Sequence, residues 1–204
     1  MKRIAVLASG RGSNFQAIID AISAGTLRAE CVRLITDNPG AYAITRAKGA
    51  GVPVTALDYR SYATKGAYEA DLLAAMKDCR ADLFVLAGYM RIIGQAITDT
   101  FAGKMINIHP ALLPAFAGLH AQRQAIEYGV KVAGCTVHLV DGGMDSGPII
   151  LQVCVPVLED DDEDSLAERI LAEEHQALPA AAALFCEGRL SVEGRRVRIL
   201  PPRD

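Results

Sequence analysis

The segment Ile106-Asn107-Ile108-His109-Pro110 sets an amide and an imidazole two residues apart. On a β-strand, residues i and i+2 point to the same face. Two polar side chains on one face of an otherwise apolar strand are costly to bury without partners. They are either a buried pair satisfied by neighbouring loops or a pair facing a reacting group. In the second case their N–H groups, converging on one point, would stabilise a developing oxyanion. Asp145 lies in Asp141-Gly142-Gly143-Met144-Asp145-Ser146-Gly147-Pro148, an irregular loop following a strand, and is placed to reach a histidine at a neighbouring strand end. A carboxylate beside an imidazole orients the ring and favours its protonated form. There is no GxSxG motif, and no cysteine stands beside His109. The constellation therefore suits direct acyl transfer through a tetrahedral intermediate better than a covalent acyl-enzyme.

A second cluster is Ser9-Gly10-Arg11-Gly12-Ser13-Asn14. It follows an apolar run and precedes a helical pattern, the place where a ligand meets backbone N–H groups and the positive end of a helix dipole. Gly10 and Gly12 permit positive φ and close backbone approach. A phosphate is the natural guest. The loop is not a Walker A sequence, because no Gly-Lys-Ser/Thr follows, and it is not GxGxxG, because position 15 is Phe. The plainer alternative is a tight turn with a helix cap, since Ser13-x-x-Gln16 fits a capping box.

Other chemistries find little support. Cys31, Cys79, Cys135, Cys154 and Cys186 form no CxxC pair, and His109, His120, His138 and His175 show no HExxH spacing, so no metal site is expected. Twenty-one basic against 24 acidic residues give a net charge of −3, with no basic surplus pointing to nucleic acid. No apolar run approaches the roughly 18–20 residues of a membrane span. Ile4–Ala8 is too short for a signal-peptide core, and a cytoplasmic protein is expected.

The elements that must position these residues alternate along the first half. Apolar runs at Ile4–Ser9, Cys31–Thr36, Val52–Leu57, Leu83–Ala87 and Met105–His109 read as strands. Helical spacing appears at Phe15–Ile22, Tyr42–Ala50 and Glu69–Cys79. Strands separated by helices imply βαβ units and an open, mostly parallel sheet with helices on both faces. Further on come a short helix at Gln122–Tyr128 and strands at Cys135–Val140 and Ile149–Val157. Six consecutive acids, Glu159–Asp164, read as a solvated loop favouring the start of a helix over Leu166–Leu184, with a break near Pro179. A terminal hairpin is expected around Gly194. The 204 residues fit one α/β domain.

The chain is similar to a known family. Ser9–Asn14, Leu86–Arg91, Asn107–Pro114, Gly118–His120 and Gly134–Pro148 together resemble the folate-dependent glycinamide ribonucleotide formyltransferases of purine synthesis. The INIHPALLP and TVHxVDxGxDxGP patterns carry the resemblance to folate-dependent formyl transfer, and GRGSN narrows it to the glycinamide ribonucleotide branch. Methionyl-tRNA formyltransferase and formyltetrahydrofolate hydrolase are similar around Asn107, His109 and Asp145 but carry an additional domain, for which 204 residues leave no room. The resemblance implies a Rossmann-like formyltransferase fold. About 1–103 would bind the nucleotide, and about 104–204 would bind folate and carry the catalytic residues. It implies 10-formyltetrahydrofolate as co-substrate, no metal, and a monomer or homodimer acting on small molecules. It makes Asn107, His109 and Asp145 catalytic. Arg11, Gly12, Ser13, Asn14 and Glu174 would bind glycinamide ribonucleotide. Met90, Arg91, Ile92, Ile93, Val140, Asp141 and Asp145 would line the folate pocket. Leu171, Ala115 and Ala117 depart from residues more usual in the family, which bears on substrate affinity rather than on the reaction. Two other functions fit parts of the pattern: a hydrolase releasing formate, and a nucleotide-binding sensor without catalysis.

Overall fold

The computed structural model describes residues 1–202. One nine-stranded sheet runs through the chain in the order β3-β2-β1-β4-β5-β6-β7-β9-β8. Its first part comprises β1 (Lys2–Leu7), β2 (Ala29–Thr36), β3 (Val54–Ala56), β4 (Leu83–Leu86) and β5 (Met105–His109), all parallel. β6 (Val132–Leu139) joins β5 antiparallel, and β7 (Ile149–Pro156) joins β6 antiparallel. A hairpin of β8 (Leu190–Glu193) and β9 (Arg196–Ile199) closes that edge, with Gly194 at positive φ in its turn. The mostly parallel sheet and its helices match the expected α/β class.

Alternation along the strands builds two cores. Ile4, Val6 and Ala8 of β1 and its extension, with Leu83, Val85, Ile106 and Ile108, face α1 (Ser13–Ser23), α2 (Ala43–Gly49), α5 (Ala121–Tyr128) and α6 (Glu163–Cys186). Ala5, Leu7, Phe84, Leu86 and Met105 face α3 (Lys65–Asp78) and α4 (Gln95–Thr100). Both faces are covered, which is why the central strands read as continuous apolar runs rather than alternating ones. α4 has only six residues and no side-chain cap, so its sequence carries little periodic signal.

Two local expectations are corrected. The N-cap of α1 is Gly12, in the left-handed region at φ 67°, with no side-chain cap; Ser13 is already helical, so Ser13 and Gln16 form no capping box. α6 runs unbroken for 24 residues through Pro179. An interior proline costs about 3 kcal/mol. Here Leu178, Pro179, Ala181 and Ala182 are all buried, and their packing against α1 and the sheet outweighs the missing hydrogen bond. The acidic run does cap α6: Asp162 accepts from the Ser165 N–H in a reciprocal capping box, and Asp161 pairs with Arg169 at 2.6 Å.

Candidate active site

Strand order reverses between β1 and β4, because β1 connects outward to β2 and β4 lies on its other side. In open α/β sheets such a switch point leaves a crevice at the carboxyl ends of the strands. Ser9 continues β1 there: its N–H donates to the Gly88 carbonyl at 3.1 Å, and its Oγ accepts from the Met90 N–H at 2.8 Å. Gly10 to Asn14 arch over this point, and with Ala87, Gly88 and Met90 they line a cleft of about 320 Å³. Among the described residues, the N–H groups of Arg11, Gly12 and Ser13 meet no protein acceptor. Asn14 turns inward instead. It is buried, and its Nδ2 donates to Oε2 of the equally buried Glu174 at 2.7 Å. Burial raises the Glu174 carboxyl above the usual carboxylate range, and the Asn14 bond only partly offsets this. The Asn14 Oδ1 is buried without a partner, an acceptor in want of a donor.

Asn107 and His109 end β5, two strands away from β1. At about 4.8 Å per spacing the two strand ends are roughly 10 Å apart, a span suited to one small substrate. The Asp145 carboxylate reaches both residues. Its Oδ2 lies 3.3 Å from His109 Nδ1 and accepts from the Gly118 N–H at 2.9 Å, while its Oδ1 lies 3.5 Å from Asn107 Nδ2. Burial alone would raise the Asp145 carboxyl. The neighbouring His138, the Gly118 N–H and the His109 ring outweigh it and hold the group below the ordinary value. Asp145 itself adopts φ 49°, a conformation side chains rarely take, so the loop holds this carboxylate at some backbone cost. His109 is buried, and its Nε2 faces the Phe116 carbonyl at 2.9 Å. Both ring nitrogens thus face oxygen acceptors, an arrangement used in full only when both carry hydrogen.

His138 is the member of this cluster that sequence reading left out. It lies opposite Asn107 in the β5–β6 register, and its Nε2 is 3.2 Å from Asn107 Nδ2. Its Nδ1 faces the Leu139 carbonyl at 2.8 Å, and its Nε2 also lies 3.7 Å from Asp145 Oδ1. Asn107 Nδ2 thus lies between the His138 ring and the Asp145 carboxylate, and the carboxylate, which only accepts, faces the donor end of the amide. The signal was the histidine in TVHxVD, but register across an antiparallel pair is not visible in one strand.

The remaining residues fall in two groups. Met90 and Ile92 are exposed, while Ile93 and Val140 pack on the α3 core. Arg91 is anchored: Nε donates to the buried Asp37 at 2.7 Å, and the guanidinium lies over the Tyr59 ring at 4.1 Å. Asp141 shapes the loop that carries Asp145, accepting from the Gly143 N–H at 3.0 Å and the Ser146 hydroxyl at 2.6 Å. Arg11 is exposed, and its carbonyl accepts from Arg46 Nε at 2.9 Å. A larger groove, about 780 Å³, runs between α1 and α6 and contains none of Asn107, His109 or Asp145. Among the described residues no group of three or more His, Cys, Asp or Glu is arranged to hold a metal, and no helix is long and apolar enough to cross a membrane.

The family profile described as Formyl transferase matches residues 2–182. Phosphoribosylglycinamide formyltransferase of Bacillus subtilis is 44% identical over 180 residues, which cover 88% of this chain and 92% of that protein. The trifunctional purine biosynthetic protein adenosine-3 of Drosophila melanogaster is 47% identical over 189 residues, 92% of this chain but only 14% of that much longer protein. The crystal structure of glycinamide ribonucleotide transformylase 1 from Symbiobacterium toebii superposes with a TM-score of 0.96 at 51% identity, covering 98% of this chain and 95% of that one.

Proposed function

The chain belongs to the formyl transferase family, and on that premise we propose that it transfers the formyl group of 10-formyltetrahydrofolate to the amine of glycinamide ribonucleotide in de novo purine biosynthesis. The observation that carries this reading is the pairing of two features on one sheet edge. One is a glycine loop with unspent N–H groups at β1. The other is the Asn107–His109–Asp145 cluster at β5.

The substrate phosphate would take the N–H groups of Arg11, Gly12 and Ser13 at the positive end of α1. Asn14 and Glu174 would meet the sugar or amide, where a donor would satisfy the orphaned Asn14 Oδ1. The folate would lie along Met90, Arg91, Ile92, Ile93, Val140 and Asp141, with Arg91 already held in place by Asp37 and Tyr59. Glu174 comes from the half we assign to folate and catalysis, so the nucleotide-binding half, about 1–103, borrows one group from about 104–204.

Holding both substrates together makes the reaction intramolecular in effect, a large part of the advantage. The neutral amine attacks the formyl carbon, and negative charge builds on the formyl oxygen. Asn107, its amide nitrogen set between Asp145 and His138, offers one N–H to that oxygen. His109 offers its Nε2 hydrogen, exchanging the Phe116 carbonyl for the stronger, charged acceptor. Asp145 holds the imidazolium and, through water, helps move the amine proton toward the departing folate nitrogen. The reading makes the enzyme cytoplasmic, with small-molecule substrates and a monomer or homodimer as its working form.

The test is the folate absorbance change with and without glycinamide ribonucleotide. Turnover only with the acceptor supports transfer. Formate release without it would point to the hydrolase, and no turnover in either case to a sensor.

A further inference from the structure

We infer that Arg46 is a positioning residue for the phosphate of the nucleotide substrate, acting through the glycine loop rather than by contact. The inference rests on the phosphate reading of Ser9–Asn14.

Two successive carbonyls of the loop are tied to α2. The Gly10 carbonyl accepts from the Ala43 N–H at 3.1 Å, and the Arg11 carbonyl accepts from Arg46 Nε at 2.9 Å. In a trans peptide unit the C=O and the N–H point in opposite directions. Pulling these two carbonyls toward α2 therefore turns the N–H groups of Arg11 and Gly12 away from it, and these are groups that meet no protein acceptor. The Arg46 guanidinium is itself held from two more sides. Its Nη1 donates to Gln16 Oε1 of α1 at 3.2 Å, and it lies over the Tyr42 ring at 5.1 Å. One side chain thus links α2, the loop and the first turns of α1. The Ala43 bond comes from a backbone group that any residue supplies; the second restraint depends on the guanidinium. A planar fork can bond a carbonyl and an amide oxygen together, which a single ammonium cannot do in the same geometry.

The test compares two acceptors, glycinamide ribonucleotide and its dephosphorylated riboside, in wild type, Arg46→Met and Arg46→Lys. Arg46→Met keeps the stem over Tyr42 and drops the donors. It should raise KM for the ribonucleotide about tenfold, the usual loss for a charged hydrogen bond. KM for the folate and kcat/KM for the riboside should stay near wild type. The wild-type preference for phosphate should then shrink about tenfold, with the melting temperature changed little. Arg46→Lys keeps the charge without the fork and should recover only part of the loss. Equal loss on both acceptors, or full recovery in Arg46→Lys, would overturn the inference, the second by showing that charge alone acts. If wild type itself shows no preference for the phosphorylated acceptor, the phosphate reading of the loop fails instead.

Discussion

Asp145 touches His109, Asn107 and the Gly118 N–H at once, so replacing it tests three contacts with one atom pair. Asp145→Asn keeps the size and removes the charge that faces the His109 ring. Steady-state kinetics should show kcat lowered about 10²–10⁴-fold with both KM values little changed, the range for losing a proton-transfer or oxyanion group. Wild-type kcat would remove the catalytic role. The lowered Asp145 carboxyl also stabilises the fold above the ordinary carboxylate pKa, a contribution lost as pH falls through the lowered value. Melts of Asp145→Asn should lack that part of the acid dependence. Glu174 has the opposite sign. Its carboxyl is raised by burial, so its contribution is present below the unfolded value and lost as pH rises through the folded one. Glu174→Gln should therefore melt no lower than wild type at neutral pH, with the difference vanishing in mild acid, while KM for glycinamide ribonucleotide rises about tenfold. A fall in melting temperature at neutral pH would contradict this. Asn107 and His109 were legible because strand periodicity gives their shared face, and Asp145 because glycines mark its loop. His138 and the inward turn of Asn14 were not, since both depend on partners, one on the facing strand and one 160 residues away.

The loop between β1 and α1 shows why an element can be read from sequence while its boundary is not. Glycine at position 12 announced a positive φ, but both Ser13 and Gly12 are acceptable caps, and the choice falls to tertiary contact. A Cβ on Gly12 would stand 2.7 Å from the Ala43 Cβ, so α2 packs against the bare backbone. Gly12→Val would combine that clash with a strained φ of 67°. It should raise KM for glycinamide ribonucleotide far more than KM for the folate, because the strained backbone is that of the loop whose N–H groups we assign to the phosphate. Equal effects on both, accompanied by a lower melt, would mark a general folding defect. The unbroken α6 teaches the same lesson. Proline chemistry argued for a break, and burial of the surrounding residues overrode it.

Across the whole molecule, the parallel half was legible because alternating strand and helix patterns leave few topologies. The antiparallel turn of β6 and β7 and the parallel addition of β9 to β7 were not, because strand direction leaves no periodic trace in sequence. The arrangement has a functional consequence. β6 enters beside β5 from the opposite direction, which brings His138 against Asn107 and sends the chain into the loop bearing Asp145. The glycine loop and the Asn107–His109–Asp145 cluster then share the carboxyl edge of the sheet, roughly 10 Å apart. On the proposed reaction, the formyl group crosses this interval directly from folate to amine. Turnover in heavy-oxygen water, with the products weighed, distinguishes direct transfer from hydrolysis. Direct transfer gives one formylated acceptor for each folate consumed, carrying the donor's original formyl oxygen, and no folate consumed when the acceptor is withheld. Labelled formate, or folate consumption without acceptor, would contradict it.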